Sequence, residues 1–268
     1  MRVRITFRVK NRGTSIPFHH QFLIAQVLKG LMLTSGDDRF SSFDNYSFSG
    51  LKGQTKVSRN GLHYTSNRVT LVLTSPEKDF IDFLIKQIFQ QTHLEISQLI
   101  IVPEQVEQEL PVDARSEMKY ICISPLVILQ PSFNSDAGKQ FIEPGTDDFS
   151  DLIYDSTIER MQSAGIRVDN ISDLEKFQVV PDLSYINKIR QSNKKFARIY
   201  PLYDQDVKYE IRGYTFPFTL YAPPEIQKFV LQSGLGLFCN KGFGMLDIAN
   251  EDPTKRTVNY EIERLISA

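Results

Sequence analysis

The sequence has 268 residues, with 31 Lys and Arg against 32 Asp and Glu, and 41% of its residues are hydrophobic. These values are typical of a folded globular protein and exclude a disordered chain. No stretch approaches the ~20 uninterrupted apolar residues of a membrane helix, and the amino terminus does not resemble a secretory signal. Cys122 and Cys239 lie far apart without a partner at ligand spacing, which predicts neither a disulfide nor a metal site. We therefore expect a cytoplasmic protein without a membrane partner.

Charge is distributed unevenly along the chain, although the formal net charge is only −1. Residues 1–36 and 183–198 contain basic side chains and no acidic ones, whereas residues 143–182 are rich in Asp and Glu. A segregated basic surface can bind phosphate even on a neutral molecule. The basic residues of the two segments are Arg2, Arg4, Arg8, Lys10, Arg12, Lys29, Lys188, Arg190, Lys194, Lys195 and Arg198.

The first predicted strand, residues 2–10, alternates apolar and basic side chains. Because strand side chains alternate between two faces, Val3, Ile5 and Phe7 are expected in the core. Arg2, Arg4 and Arg8 then share the opposite face. We expect this face to bind phosphate, and the alternative is an ordinary solvent-exposed surface of the sheet.

The remaining elements of the first half complete a βαββαβ order. Pro17 begins a helix, the Asn60-Gly61 pair predicts a hairpin turn at 58–61, and a second helix covers 77–91. A strand at 94–102 follows, and the polar segment 103–117 predicts a linker. This order predicts a ferredoxin-like domain over residues 1–112.

The second half can be divided in the same order, which predicts a second ferredoxin-like domain over residues 113–268 and an α+β protein with two tandem domains. Its predicted helices lie at 148–165 and 223–234. Its predicted strands lie at 118–129, around 177–180, 197–202 and 206–222, and at 243–248.

A glycine-rich loop lies between the last predicted helix and the last predicted strand. Four glycines fall within eleven residues, together with the cation Lys241, and such loops let phosphate approach main-chain N–H groups. A P-loop or a dinucleotide fold runs from strand to helix, so the reversed order here excludes both. A helix cap followed by a bulged strand is the alternative. The four glycines are Gly234, Gly236, Gly242 and Gly244.

This loop, written GxGxxxxxGxG, is similar to the signature of the repeat-associated (RAMP) superfamily. Together with the first strand, the IPFHHQF helix start and the ISPLVI strand, it resembles the CRISPR-associated endoribonucleases that process precursor CRISPR RNA. The resemblance implies binding of CRISPR repeat RNA and one cut, with no metal or cofactor, by attack of a ribose 2′-hydroxyl. It leaves open a homodimer and other CRISPR effector subunits as partners. The residues expected to bind RNA are the four loop glycines and eight basic residues, Arg2, Arg4, Arg8, Lys188, Arg190, Lys194, Lys195 and Lys241.

Family members commonly carry a His after the first helix, and residues 29–56 of this chain contain none. The catalytic candidates near that position are Lys29, Tyr46 and Lys52, and His20 at the opposite end of the helix is the fourth. Two alternatives stay open: a repeat-binding protein without catalysis, and a structural subunit of a CRISPR effector complex.

Overall fold

The computed structural model describes residues 1–59, 61–129, 142–174, 176–204 and 207–262. The chain forms two units. The first comprises Met1–Pro111, Asn240–Gly242 and Asp252–Ala268, and the second comprises Val112–Cys239 and Phe243–Glu251. In the described residues, no helix is both long and apolar enough to cross a membrane.

The elements of the first unit are β1 (Arg2–Val9), β2 (Ser15–Ile16), α1 (Gln21–Thr34), β3 (Ser47–Phe48), β4 (Thr55–Ser58), β5 (Gly61–Tyr64), β6 (Arg68–Thr74), α2 (Lys78–Gln90), β7 (Leu94–Ile96) and β8 (Leu99–Glu109). Those of the second are β9 (Glu117–Cys122), β10 (Leu126–Val127), α3 (Asp147–Ser163), β11 (Gln178–Pro181), α4 (Leu183–Gln191), β12 (Ala197–Asp204), β13 (Val207–Tyr214), β14 (Pro217–Tyr221), α5 (Pro224–Ser233) and β15 (Leu246–Ile248). The last strand, β16 (Thr257–Asn259), belongs to the first unit.

The main sheet of the first unit has the antiparallel order β16-β8-β1-β6-β3. The first strand lies between the third and fourth strands of the βαββαβ order, as in a ferredoxin-like fold. Apolar side chains at alternate positions of β1 and on one face of α2 are buried in one core, because a sheet and a helix each bury one face. Among them are Val3, Ile5, Phe7, Phe80 and Leu84.

Strand β8 extends to Glu109, so the prediction that a linker begins at residue 103 is wrong. Pro103 lies inside the strand, where the register against β1 shifts between Thr6 and Phe7. A bulge of this kind tolerates a proline that lacks an amide hydrogen. The predicted hairpin is present as β4 and β5, and Asn60 of its turn lies outside the described residues.

The second unit repeats the arrangement with the antiparallel sheet β11-β14-β9-β15 and the helices α3 and α5. Between β11 and β14 the chain adds helix α4 and the hairpin β12–β13, which pairs with β10 in a separate sheet. The predicted α+β class with two tandem ferredoxin-like domains is confirmed. Helix α4 and strand β16 were not predicted.

Candidate nucleic-acid interface

Two of the three arginines on β1 are buried beside a carboxylate. The Nε atom of Arg2 lies 2.8 Å from Oε2 of Glu109, and Nε of Arg4 lies 2.7 Å from Oε1. The side chain of Glu109, at the end of β8, is only 1% exposed. The prediction that Arg2 and Arg4 face a phosphate backbone is therefore wrong for this structure, because their guanidinium groups neutralise an internal acid.

The exposed basic side chains of β1 lie at its other end. Arg8, Lys10 and Arg12 are exposed and line a shallow pocket with Asn67 and Arg68. Nη2 of Arg68 donates to Oε1 of Glu104 at 3.1 Å, and this hydrogen bonding lowers the pKa of the Glu104 carboxyl. The pocket keeps an excess of positive charge that suits a phosphate group.

His20 is buried and serves as a hydrogen-bond acceptor. The backbone N–H of Leu51 donates to its Nε2 at 3.1 Å, and Nδ1 lies 3.3 Å from the carbonyl oxygen of Pro17. Burial lowers the pKa of His20 to about 4, so the ring is neutral at pH 7. Because Nε2 is already occupied, the structure does not support His20 as a proton-transfer group. It holds the chain segment that leads into Lys52.

The other three catalytic candidates have different environments. Lys52 is partly exposed, and its backbone forms a two-hydrogen-bond bridge to Thr70. Lys29 is exposed in the second half of α1, five residues before the helix ends, and its Nζ donates to the carbonyl oxygen of Ser41 at 2.5 Å. Tyr46 is buried among aromatic rings, and burial raises the pKa of its phenol. Tyr46 is therefore a core residue, and the prediction that it is catalytic is not supported.

The glycine loop is packed internally at each of its four glycines, all of which are buried. The amides of Gly234 and Gly244 already donate to the carbonyl oxygens of Val230 and Pro125. A Cβ atom at Gly244 would lie 2.0 Å from the carbonyl oxygen of Leu235. The prediction that these two amides contact phosphate is wrong here, because the protein itself uses them.

Close packing also leaves no room for a side chain at Gly236 or Gly242. A Cβ at Gly236, which has a φ of +76°, would lie 2.5 Å from the carbonyl oxygen of Val127. A Cβ at Gly242, in the first unit, would lie 2.8 Å from both Gln21 and the ring of Phe48. Lys241 precedes Gly242 and is partly exposed, so its side chain reaches the surface of the loop.

Arg160 organises the start of the loop and was not identified from the sequence. Its Nη1 donates to the carbonyl oxygens of Gly234 and Gly236 at 2.9 and 3.2 Å, and its Nη2 donates to that of Ser233 at 2.5 Å. The guanidinium also lies 5.5 Å from the ring centroid of Phe229. It thus satisfies carbonyl groups at the end of α5, which helix ends leave unpaired. The only available signal was a basic residue in the last turn of α3.

The basic segment of the second unit surrounds an open groove beside α4. Lys194 and Lys195 are exposed and line this groove, which we call the α4 groove. Lys188 and Arg190 lie in the last turn of α4. Arg190 forms an ion pair with Glu143, so part of its charge is compensated. The other lining residues used below are Tyr185, Phe196, Arg198 and Tyr200.

Comparisons with known proteins agree with this architecture. Residues 107–248 match the family described as CRISPR associated protein Cas6, C-terminal. This match spans more than half of the chain, and the chain therefore belongs to the Cas6 family of CRISPR-associated proteins. No curated protein sequence matches the chain.

Several solved structures share the fold. One described as a Cas6-related gene product from Pyrococcus furiosus has a TM-score of 0.77 and 19% identity, covering 94% of this chain and 99% of that one. Another, described as a RAMP protein binding different RNA substrates, has a TM-score of 0.75 and 17% identity, covering 93% and 100%. A Cas6 product complex has a TM-score of 0.55 and 12% identity, covering 92% and 99%. The chain is a RAMP-fold protein of the Cas6 type.

Proposed function

We propose that the chain binds CRISPR repeat RNA and cuts it once without a metal ion. In this reaction a ribose 2′-hydroxyl loses its proton and attacks the adjacent phosphorus. The bond from phosphorus to the 5′ oxygen breaks, and that oxygen gains a proton. The products carry a 2′,3′-cyclic phosphate and a 5′-hydroxyl.

The observation that carries this proposal is the match to the Cas6 family. Two solved structures of the same fold support it, because one is described as binding RNA substrates and another as a product complex. The exposed basic pocket of Arg8, Lys10 and Arg12 adds a surface suited to an RNA backbone.

Lys52 is the side chain that we assign to the cut. An ammonium group beside the scissile phosphate would stabilise the charge of the phosphorane and hold the attacking geometry. The hydrogen bond from Leu51 to His20 fixes the main chain next to Lys52, which makes His20 a positioning residue. Lys29, held by Ser41, is assigned a second electrostatic role.

The second candidate function is binding of repeat RNA without cleavage. The burial of His20 and Tyr46 favours it, since neither side chain is available to exchange a proton with a substrate. This candidate uses the same fold and the same basic surfaces.

Incubation with end-labelled repeat RNA in EDTA distinguishes the two functions. Cyclic-phosphate product, absent when the attacking 2′-hydroxyl is replaced by hydrogen, supports the enzyme. Tight binding of RNA that stays intact supports the binding protein.

The lysine roles are tested by separate rate and affinity measurements. For the enzyme, Lys52→Ala and Lys29→Ala should lower the single-turnover rate more than the affinity. Lys228→Ala, an exposed lysine of α5, is the control and should change neither. Equal losses of rate and affinity would reduce Lys29 and Lys52 to backbone contacts.

A further inference from the structure

We propose that the α4 groove of the second unit binds one unpaired nucleotide of an RNA strand, with its base against aromatic rings and its phosphate beside the cations. The inference rests on the proposed function only in taking RNA as the ligand. The basic side chains alone would account only for phosphate binding. The new claim is that the groove also binds the base.

The charge of the groove suits a phosphate. Lys194, Lys195 and Arg198 are exposed on its rim, and none of the described residues that line it is acidic. Three cations around a concave surface raise the local concentration of anions. A phosphodiester that enters the groove can therefore pair with these cations, and no acidic lining residue competes with it.

The walls of the groove are aromatic and held in place. Tyr200 packs edge-on against Phe243, with ring centroids 5.7 Å apart, and a Cβ on Gly213 would lie 2.9 Å from the Tyr200 ring. Phe196 packs edge-on against Phe216, with centroids 6.5 Å apart. Rings that are fixed before binding lose little conformational freedom when a base stacks on them.

The backbone around Phe196 is fixed as well. Its carbonyl oxygen accepts a hydrogen bond from Thr215 at 2.7 Å, and the Arg190 guanidinium lies 5.6 Å from the centroid of its ring. Burial raises the pKa of Tyr200, so its hydroxyl keeps its proton and can donate a hydrogen bond. The groove is thus lined by cations, aromatic side chains and a hydroxyl.

This combination fits a nucleotide outside a helix. A base within a duplex is stacked on both faces, so an aromatic side chain can reach only an unpaired base. Stacking tolerates any of the four bases, and the groove is therefore expected to prefer single strands over duplexes more than one sequence over another.

The first test uses unmodified protein and RNA in which 4-thiouridine replaces single uridines. Irradiation should cross-link an unpaired position to Phe196 or Tyr200, as mapped by mass spectrometry of the peptides. Cross-links confined to peptides outside residues 183–215 would overturn the proposal. This measurement needs no variant to fold.

The second test measures affinity against salt concentration with fluorescent single-stranded and duplex RNA. Phe196→Leu should weaken single-strand binding about tenfold at all salt concentrations, since stacking is not ionic. Lys194→Gln with Lys195→Gln should instead reduce the salt slope, by about 0.7 for each phosphate that is no longer bound. Tyr221→Leu and Lys228→Gln replace exposed residues outside the groove and are the matched controls.

The outcomes separate this inference from the proposed function. If repeat RNA is bound and cut equally well by the groove variants, the groove proposal fails and the function stands. If the wild-type chain binds generic single strands through the groove without selecting repeat RNA, the groove proposal stands and the function fails. Preferential binding of duplex RNA would also overturn the groove proposal.

Discussion

The carboxylate of Glu109 lies within 2.8 Å of two buried guanidinium groups, with Oε1 2.7 Å from Nε of Arg4. Nη1 of Arg256 lies 3.9 Å from Oε2 of the same carboxylate. One acidic side chain at the end of β8 therefore neutralises part of a basic cluster drawn from both ends of the chain. Neutralising Glu109 would remove a buried negative charge that lies beside these guanidinium groups.

We predict that Glu109→Gln lowers the free energy of unfolding by about 3–5 kcal/mol, because it removes the buried carboxylate that Arg2 and Arg4 share. Urea denaturation of the whole chain measures the change. Glu104→Gln is the control, since its pair with Arg68 is exposed and should matter much less. Similar small effects in both variants would contradict the role assigned to Glu109.

We predict that Gly244→Ala destabilises the protein by at least about 2 kcal/mol more than Gly165→Ala, because overpacking adds to backbone strain. Both glycines have positive φ, at +66° and +76°, so both variants share the conformational cost. Only Gly244 would place its Cβ against a carbonyl oxygen, whereas nothing lies within 4 Å at Gly165. Thermal or urea unfolding measures the difference, and equal losses would mean that the loop adjusts freely.

We predict that the stability of the folded protein depends on pH because of His20. Its pKa is about 4 in the folded protein and 6.5 for an exposed ring, so the unfolded chain binds more protons between these values. Stability is thus fully present above pH 6.5 and is lost as the pH falls towards 4, by about 2 kcal/mol at pH 5.

The measurement is urea denaturation at pH 7 and pH 5 for the wild type and for His20→Asn. The variant should lose less stability than the wild type over this interval, because it lacks the titrating ring. His93→Asn, an exposed histidine beside Glu95, is the comparison and should follow the wild type. Identical pH profiles for the wild type and His20→Asn would show that other groups cause the loss.

We predict that Arg8→Ala with Arg12→Ala weakens RNA binding and reduces its salt slope by about 0.7–0.9 for each phosphate that is no longer bound. Fluorescence anisotropy at several salt concentrations measures both quantities. Arg167→Ala removes an exposed arginine of the second unit and is the control. An unchanged slope in the double variant would mean that the pocket at the end of β1 faces only solvent.

The order of strands and helices could be predicted because it depends on local patterns. Alternation in β1 and the apolar face of α2 each occur within one element, and both predictions agree with the structure. Helix α4 was missed because its sequence is short and basic. Asp182 was a usable signal, since its side chain caps the helix by accepting from the N–H of Tyr185.

The placement of the site residues depends on contacts that are distant in sequence. No local pattern indicates that Glu109 lies beside Arg2, or that the amide of Leu51 meets His20 across 31 positions. The alternation in β1 predicts that the arginines share one face of the strand. It does not predict that a later strand places an acidic side chain on that face. The glycines likewise predicted that another group comes close to the main chain. At Gly236 and Gly244 that group is a carbonyl oxygen of the protein itself.

Strand β16 pairs with β8 at the edge of the first sheet, with Thr257 opposite Glu109. During synthesis on a ribosome, the part of this edge formed by residues 107–109 therefore stays open until residues 257–259 have emerged. Strands β1 to β8 of the first unit are synthesised before the second unit, and β16 is synthesised after every strand of the second unit. In a nascent chain arrested before residue 257, β8 can pair with β1 and β7, but residues 107–109 would lack their β16 neighbour and form an open edge at which another strand could add.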